Sequence, residues 1–254
     1  MNELLVLTNK FMFVLIRAAG VVMAAPIIGT TMTPVRIKAA FVLLLAIVLT
    51  PVVPGTAPET AGALAFGIYA VRELLIGLAL GIVAAMTFGT FQLAGELIGT
   101  QMGLSMGELA DPLLNQSSSA ISQFLNIMAM LTLLALNGHH WFLQALGASF
   151  QSVPLGGAEL SPSLVSGIVA KFIDLFVAGL KMAAPAIGVL VLVTIAIGML
   201  ARAAPLLNIM MMSFSLRIAA GLVLLGFLLP YMYKLGRYLL EGMQSDLGLL
   251  IKAM

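Results

Sequence analysis

The sequence predicts an all-α fold of membrane type, and three observations carry that expectation. The first is composition: 61% of the 254 residues are hydrophobic and 9% are charged, against roughly 25% charged in an average soluble domain. Mean hydropathy is +1.14. A water-facing surface cannot be assembled from this inventory, so lipid or other apolar protein must cover much of it. The second is a series of apolar runs at about 11–28, 39–53, 63–93, 121–152, 164–200 and 206–233, where a helical span needs about 20 residues. The third is that none of these runs alternates apolar and polar residues as a strand would. The chain therefore reads as one integral membrane domain over 1–254.

Each run has its own punctuation. Phe11 to Ile28 reads as a membrane helix and not a cleaved signal, because Glu3 precedes any basic residue and Arg17 interrupts the apolar region. Thr-Pro-Val-Arg-Ile-Lys at 33–38 closes the first gap, and Val-Pro-Gly-Thr-Ala-Pro-Glu-Thr at 53–60 the second. The third run continues as a glycine-rich helix to Asp111, which Pro112 biases away from helical geometry. Asn137-Gly138-His139 is expected to turn the fourth run, and Pro185 to kink the fifth. After the loop at 153–162, Ser161 is placed to cap a helix with Pro162 at its first position. Ala-Arg-Ala-Ala-Pro at 201–205 separates the last two runs. Arg36 and Lys38 oppose Glu59, which by the positive-inside rule puts residues 30–38 in the cytoplasm and the N-terminus outside.

The sharpest local signal is the spacing of small residues. Gly77, Gly81, Ala85 and Gly89 recur at intervals of four, as do Gly95, Gly99, Gly103 and Gly107, with Glu96 beside the second stripe. Residues four apart share a helix face, and in membranes small-residue faces let two backbones approach closely. Each helical glycine costs about 1 kcal/mol against alanine, so two consecutive stripes imply intimate packing within the chain or against a partner.

Charges within the apolar runs are Arg17, Arg72, Glu73, Glu96, Asp174, Lys181 and Arg217. They read either as an ion relay or as helix ends, inter-subunit ion pairs or helices not surrounded by lipid. No facing carboxylate cluster favours the relay. The chain has no cysteine, which excludes disulfides and thiolate metal sites. His139 and His140 are sequence neighbours, a poor arrangement for zinc. No hydrolase triad or P-loop motif occurs, so neither an enzyme activity nor a cofactor is expected. A net charge of +2 is too small to imply nucleic acid. The methionine-rich stretch 208–214 suits flexible core packing or a compliant pore lining.

The segment from Gly95 to Ala120 is the odd one. Small and polar residues follow Met102 and Met106, and non-helical polar backbone between membrane helices needs protein or a water-filled cavity around it. Composition alone allows an ordinary surface hairpin, but the glycine face leading in, the methionines at 102 and 106 and the small residues throughout point together to a pliable element that packs into a hole.

Several short stretches resemble one family. Arg-Ala-Ala-Gly at 17–20, Ala-Pro-Ile at 25–27 and Pro-Val-Arg-Ile-Lys resemble the start of FliR, the flagellar biosynthetic protein of the type III export gate. GELIGTQMGLS at 95–105, LNGHHWFL at 136–143, SFQSVPLG at 149–156 and RAAPLLNIMMMSF at 202–214 follow in the same order. The resemblance implies a FliP-like part over about 1–200 joined to a FliQ-like part over about 200–254. It implies assembly with FliP and FliQ, contact with FlhB and FlhA, and passage of unfolded flagellar proteins through a closed, helical gate in the inner membrane at the flagellar basal body. It maps the family's plug onto roughly Gly103 to Ala120, with Gly103, Leu104, Ser105, Met106, Gly107, Asp111, Pro112 and Asn115 as candidate gate residues. Helices in such an assembly are raised out of the bilayer, so apolar runs need not be true crossings. A virulence secretion homologue is the alternative within the family. A secondary transporter of a small solute is the alternative outside it, and would show an inverted repeat that this sequence lacks.

Overall fold

A computed structural model describes residues 2–26, 29, 33–55, 58, 62–104, 119–157, 161–203 and 209–253. Among the described residues the chain is entirely α-helical between its turns. In order, the helices are α1 (Asn2–Ala24), α2 (Val35–Leu49), α3 (Ala63–Met102), α4 (Ala120–Ala135), α5 (His139–Ser152), α6 (Pro162–Ala203) and α7 (Ile209–Ala253). Residues 6–24, α3, α6 and residues 212–253 are each long and apolar enough to cross a membrane, and α4 with α5 meets the same test as a bent pair.

The helix ends show where sequence expectation and structure part. α1 stops at Ala24, four residues short of Ile28, because Pro26 disfavours helical geometry in the residue before it. The glycine helix ends at Met102, not at Asp111. Gly103 takes φ +83, its N–H donates to the Thr100 carbonyl at 3.0 Å, and that of Leu104 donates to Gly99 at 3.0 Å. That pair of bonds is a Schellman C-cap. Gly103 is therefore a helix terminator and leaves the stripe, while Gly107 lies outside the described residues. α7 runs about twenty residues beyond its apolar stretch because its last part is amphipathic, burying Leu240, Met243, Leu247, Leu250 and Ile251.

The Ser161 cap and the turn at Asn137 fall where the sequence places them. The Ser161 hydroxyl accepts the Leu164 N–H at 3.1 Å, capping α6 with Pro162 at its first position. Asn137 adopts φ +54 in the turn between α4 and α5, a conformation asparagine tolerates better than most residues. α6 continues as helix through Pro185, and α7 through Pro230.

The chain divides into two compact units, neither of them a continuous stretch. Unit 1 comprises residues 1–87, 134–172 and 240–254; unit 2 comprises 88–133 and 173–239. In unit 1, α1 packs on α2 and on the first part of α3. The start of α6 runs antiparallel to the end of α7. There the Ser161 and Ser163 hydroxyls donate to the Ala253 carbonyl at 2.5 and 3.2 Å, and Lys171 pairs with Asp246 at 2.7 Å. In unit 2, the end of α3 packs against α4, α6 and α7 through side chains set into glycine holes. Leu93 faces Gly179, Met102 faces Gly221, and Phe91 faces Gly236.

Candidate functional site

Unit 1 encloses a charge pair. Arg17 on α1 and Glu73 on α3 are both fully buried, with Nε donating to Oε2 at 2.6 Å. The remaining guanidinium nitrogens donate to the Ser149 carbonyl at 2.9 Å and to the Val153 carbonyl at 3.2 and 3.1 Å. The Phe150 ring lies 4.3 Å from the guanidinium carbon. Glu73 Oε1 accepts the Gly156 N–H at 2.8 Å. Both charges are thus paired and hydrogen-bonded, the condition under which a buried ion pair is tolerated. Arg17 and Glu73 belong to one internal pair, and neither a relay nor an inter-subunit bridge is needed to account for them. Two of the stretches that carried the family resemblance, 17–20 and 149–156, meet at this pair. Nothing in their spacing linked them beforehand.

Beside the pair, α1 and α3 run parallel with their backbones in contact. A Cβ on Gly77 would collide with the Arg17 carbonyl, and one on Gly20 would stand 2.7 Å from the Leu74 carbonyl oxygen. Gly81 meets Ala24 in the same way, at 2.5 Å from its Cβ. Gly77 and Gly81 therefore seat a second small-residue face, Gly20 and Ala24, in which only one of the two residues is a glycine.

The same kind of crossing recurs in unit 2, where the end of α3 meets α4 antiparallel. A Cβ on Gly95 would collide with the Ser122 backbone, and one on Gly99 would lie 2.7 Å from Ser119 Oγ. Glu96 Oε1 accepts the Ser119 N–H at 2.7 Å. Ser119 Oγ donates to the Gly95 carbonyl at 3.3 Å and accepts the Ser122 N–H at 3.2 Å, capping α4. Ser122 Oγ donates to the Gln92 carbonyl at 3.1 Å. Gly89, the last residue of the first stripe, faces the Leu175 side chain, which a Cβ there would approach to 2.8 Å.

Of the candidate plug residues, Gly103 and Leu104 form the α3 terminus, where a Cβ on Gly103 would lie 3.1 Å from the Phe214 ring. Ser105, Met106, Gly107, Asp111, Pro112 and Asn115 lie outside the described residues. Met102 is fully buried against Gly221 and packs the interior of unit 2. Arg72, Asp174 and Lys181 are exposed, and Glu96 and Arg217 are half-buried. The His139 and His140 rings lie 4.2 Å apart. Among the described residues no group of three or more His, Cys, Asp or Glu side chains gathers as metal ligands would.

Exposed apolar surface is concentrated on the two longest helices. In α3, 56% of the most apolar window is buried, against 22% in α6 and 11% in α7. Phe172, Ile173, Phe176, Val177 and Leu180 on α6, and Leu222, Val223, Phe227 and Tyr231 on α7, face outward. Such a surface requires lipid or other membrane chains over it.

Close backbone crossings, a buried ion pair and broad apolar outer faces define a polytopic helical membrane protein. The comparisons with known proteins identify which kind. The profile of bacterial export proteins, family 1, matches residues 8–243. The chain is 30% identical over 222 residues to the flagellar biosynthetic protein FliR of Escherichia coli K12, covering 87% of this chain and 85% of that protein. It is 31% identical over 228 residues to FliR of Bacillus subtilis 168, covering 89% and 88%. With FliR of Aquifex aeolicus it shares 28% identity over 211 residues, covering 81% and 79%. The chain belongs to this family of bacterial export proteins, the FliR family, and is a membrane component of the flagellar export apparatus.

Proposed function

We propose that the chain is a structural and gating subunit of the flagellar type III protein export channel, passing unfolded flagellar proteins across the inner membrane at the flagellar basal body. It assembles with FliP and FliQ, and in the completed apparatus with FlhB and FlhA. The observation that carries this reading is the conjunction of family membership over residues 8–243 with long apolar faces on α6 and α7 that are largely exposed. A subunit that completes its fold against neighbouring chains has such faces. Flagellar export is favoured over virulence secretion because the relatives quoted above are flagellar. The FliP-like part at about 1–200 and the FliQ-like part at about 200–254 divide the chain by resemblance, and do not coincide with its two compact units.

In this reading residues from Gly103 to Ala120 obstruct the closed channel, and the glycine crossings at Gly77, Gly81, Gly95 and Gly99 bring the helices close enough to stack. Co-expression with FliP and FliQ, followed by mass measurement of the intact complex, tests the assembly. Recovery of the chain as a well-folded monomer that ignores both partners would refute it. Deleting Leu104 to Ser118 tests the gate: cells expressing the complex should leak ions and small molecules. A deletion complex that assembles and stays as tight as wild type would refute the plug.

A further inference from the structure

Helix α6 changes character at Lys181. On one side, Met182 to Ala201 is a charge-free run of 20 residues, about 30 Å of helix and so the thickness of a hydrocarbon core. On the other side, Ile173 to Leu180 is a stretch of 8 residues that includes Asp174, only about 12 Å long. Yet Ile173, Phe176, Val177 and Leu180 are each 46–57% exposed. Ile173, Val177 and Lys181 recur at intervals of four with Leu180 beside them, so the ammonium stands at the edge of that apolar face.

Lys181 is exposed, and its ammonium has no bonded partner among the described residues. Its carbonyl accepts the Tyr231 hydroxyl at 3.4 Å, which sets α7 alongside, but Phe227 to Leu235 of α7 contains no acidic residue. Glu73 and Asp246 are paired with Arg17 and Lys171, and Glu96 accepts the Ser119 N–H. Asp174 lies seven positions away, about 10 Å along the helix. A bilayer cannot cover both sides of Lys181. Laid along Met182 to Ala201, it leaves the Ile173 face among headgroups and water; shifted across Lys181, it takes an unpaired ammonium into hydrocarbon. A lipid phosphate would answer the ammonium but leave the same apolar face bare.

We propose that the α6 face from Ile173 to Lys181 docks an apolar helix of a neighbouring chain, which brings a carboxylate to Lys181. The proposal rests on the assembly proposed above and adds to it where one neighbour sits and what that neighbour presents. The apolar side chains supply the contact area, and the charge pair fixes the register of the two helices.

In the complex co-expressed with FliP and FliQ, a photoreactive phenylalanine analogue in place of Phe176 should cross-link to a neighbouring subunit, at a peptide containing Asp or Glu. Lys181→Glu sets two carboxylates against each other and should lower the ratio of that neighbour to this chain by about tenfold or more, whereas Lys181→Arg should leave it unchanged. Exchanging the cross-linked carboxylate for lysine should restore the neighbour to the Lys181→Glu chain, a rescue that a merely misfolded variant would not show. Cross-linking from Phe176 to lipid alone, in a complex that assembles, overturns the docking face and leaves the assembly standing. Lys181→Glu that assembles like wild type, or a loss that charge exchange does not restore, overturns the pair. A wild-type chain that recovers neither FliP nor FliQ overturns the assembly and the docking face together.

Discussion

Arg17 Nε and Glu73 Oε2 lie 2.6 Å apart with neither side chain reaching the surface of unit 1, although 56 positions separate them in the chain. The pair joins α1 to α3 and, through Ser149, Val153 and Gly156, fastens the end of α5 and the loop after it. Its value lies in being complete. Removing one member leaves the other charged, buried and unanswered.

Arg17→Met should therefore destabilise the chain by about 3–5 kcal/mol, and Glu73→Met by a similar amount. The double variant Arg17→Met, Glu73→Met should recover most of that loss, because two apolar side chains replace two charges. Thermal unfolding of the detergent-solubilised complex measures all three. Additive losses in the double variant would show that the two residues do not act as a pair.

The α1–α3 crossing makes Gly77 the least substitutable of the stripe glycines in unit 1. Gly77→Ala already drives a Cβ into the Arg17 carbonyl, and overpacking at such a point costs about 1–3 kcal/mol. Gly188 and Gly226 have nothing within 4 Å of a would-be Cβ, so alanine there should raise helix stability by up to about 1 kcal/mol. Melting curves of the three variants check the order. A Gly77→Ala chain as stable as wild type would contradict the crossing.

Leucine at Gly188 or Gly226 separates lipid from protein as the cover of the outer faces. If partner chains lie there, Gly226→Leu should fold yet lose co-purification with FliP and FliQ; if lipid lies there, association should be unchanged. The readout is the ratio of subunits in the purified complex.

Gly103→Ala places a side chain at φ +83 and 3.1 Å from the Phe214 ring. The expected loss is about 1 kcal/mol or more, with Gly103→Asn milder because asparagine accepts the left-handed region. Hydrogen exchange at Leu104, whose N–H closes the cap, should quicken in Gly103→Ala. Unchanged exchange would mean that the cap does not need glycine.

Ser161→Ala removes the α6 cap together with a bond to the Ala253 carbonyl. A loss of about 1 kcal/mol is expected. Faster proteolysis at the end of α7, measured against wild type, would locate the loss there.

Composition determined that this chain belongs to a membrane, because so little charge cannot cover a water-facing surface, and long apolar runs without strand alternation determined that it is helical. Local punctuation was legible for the same kind of reason. Pro162 after Ser161, Asn137 before Gly138 and the glycine spacings act within a turn or two of themselves. Family membership was legible from short motifs kept in order. Tertiary structure decided what depended on distant partners. It set Arg17 against Glu73, turned Gly103 from a stripe residue into a helix stop, enclosed Met102 under Gly221, and matched Gly77 with Gly20. It also carried α7 past its apolar run to Ala253, where Leu240, Met243 and Leu247 find a core to face. The physical reason is range: helix propensity and hydropathy are sums over neighbours in sequence, whereas an ion pair or a glycine hole exists only when a second helix supplies its other half.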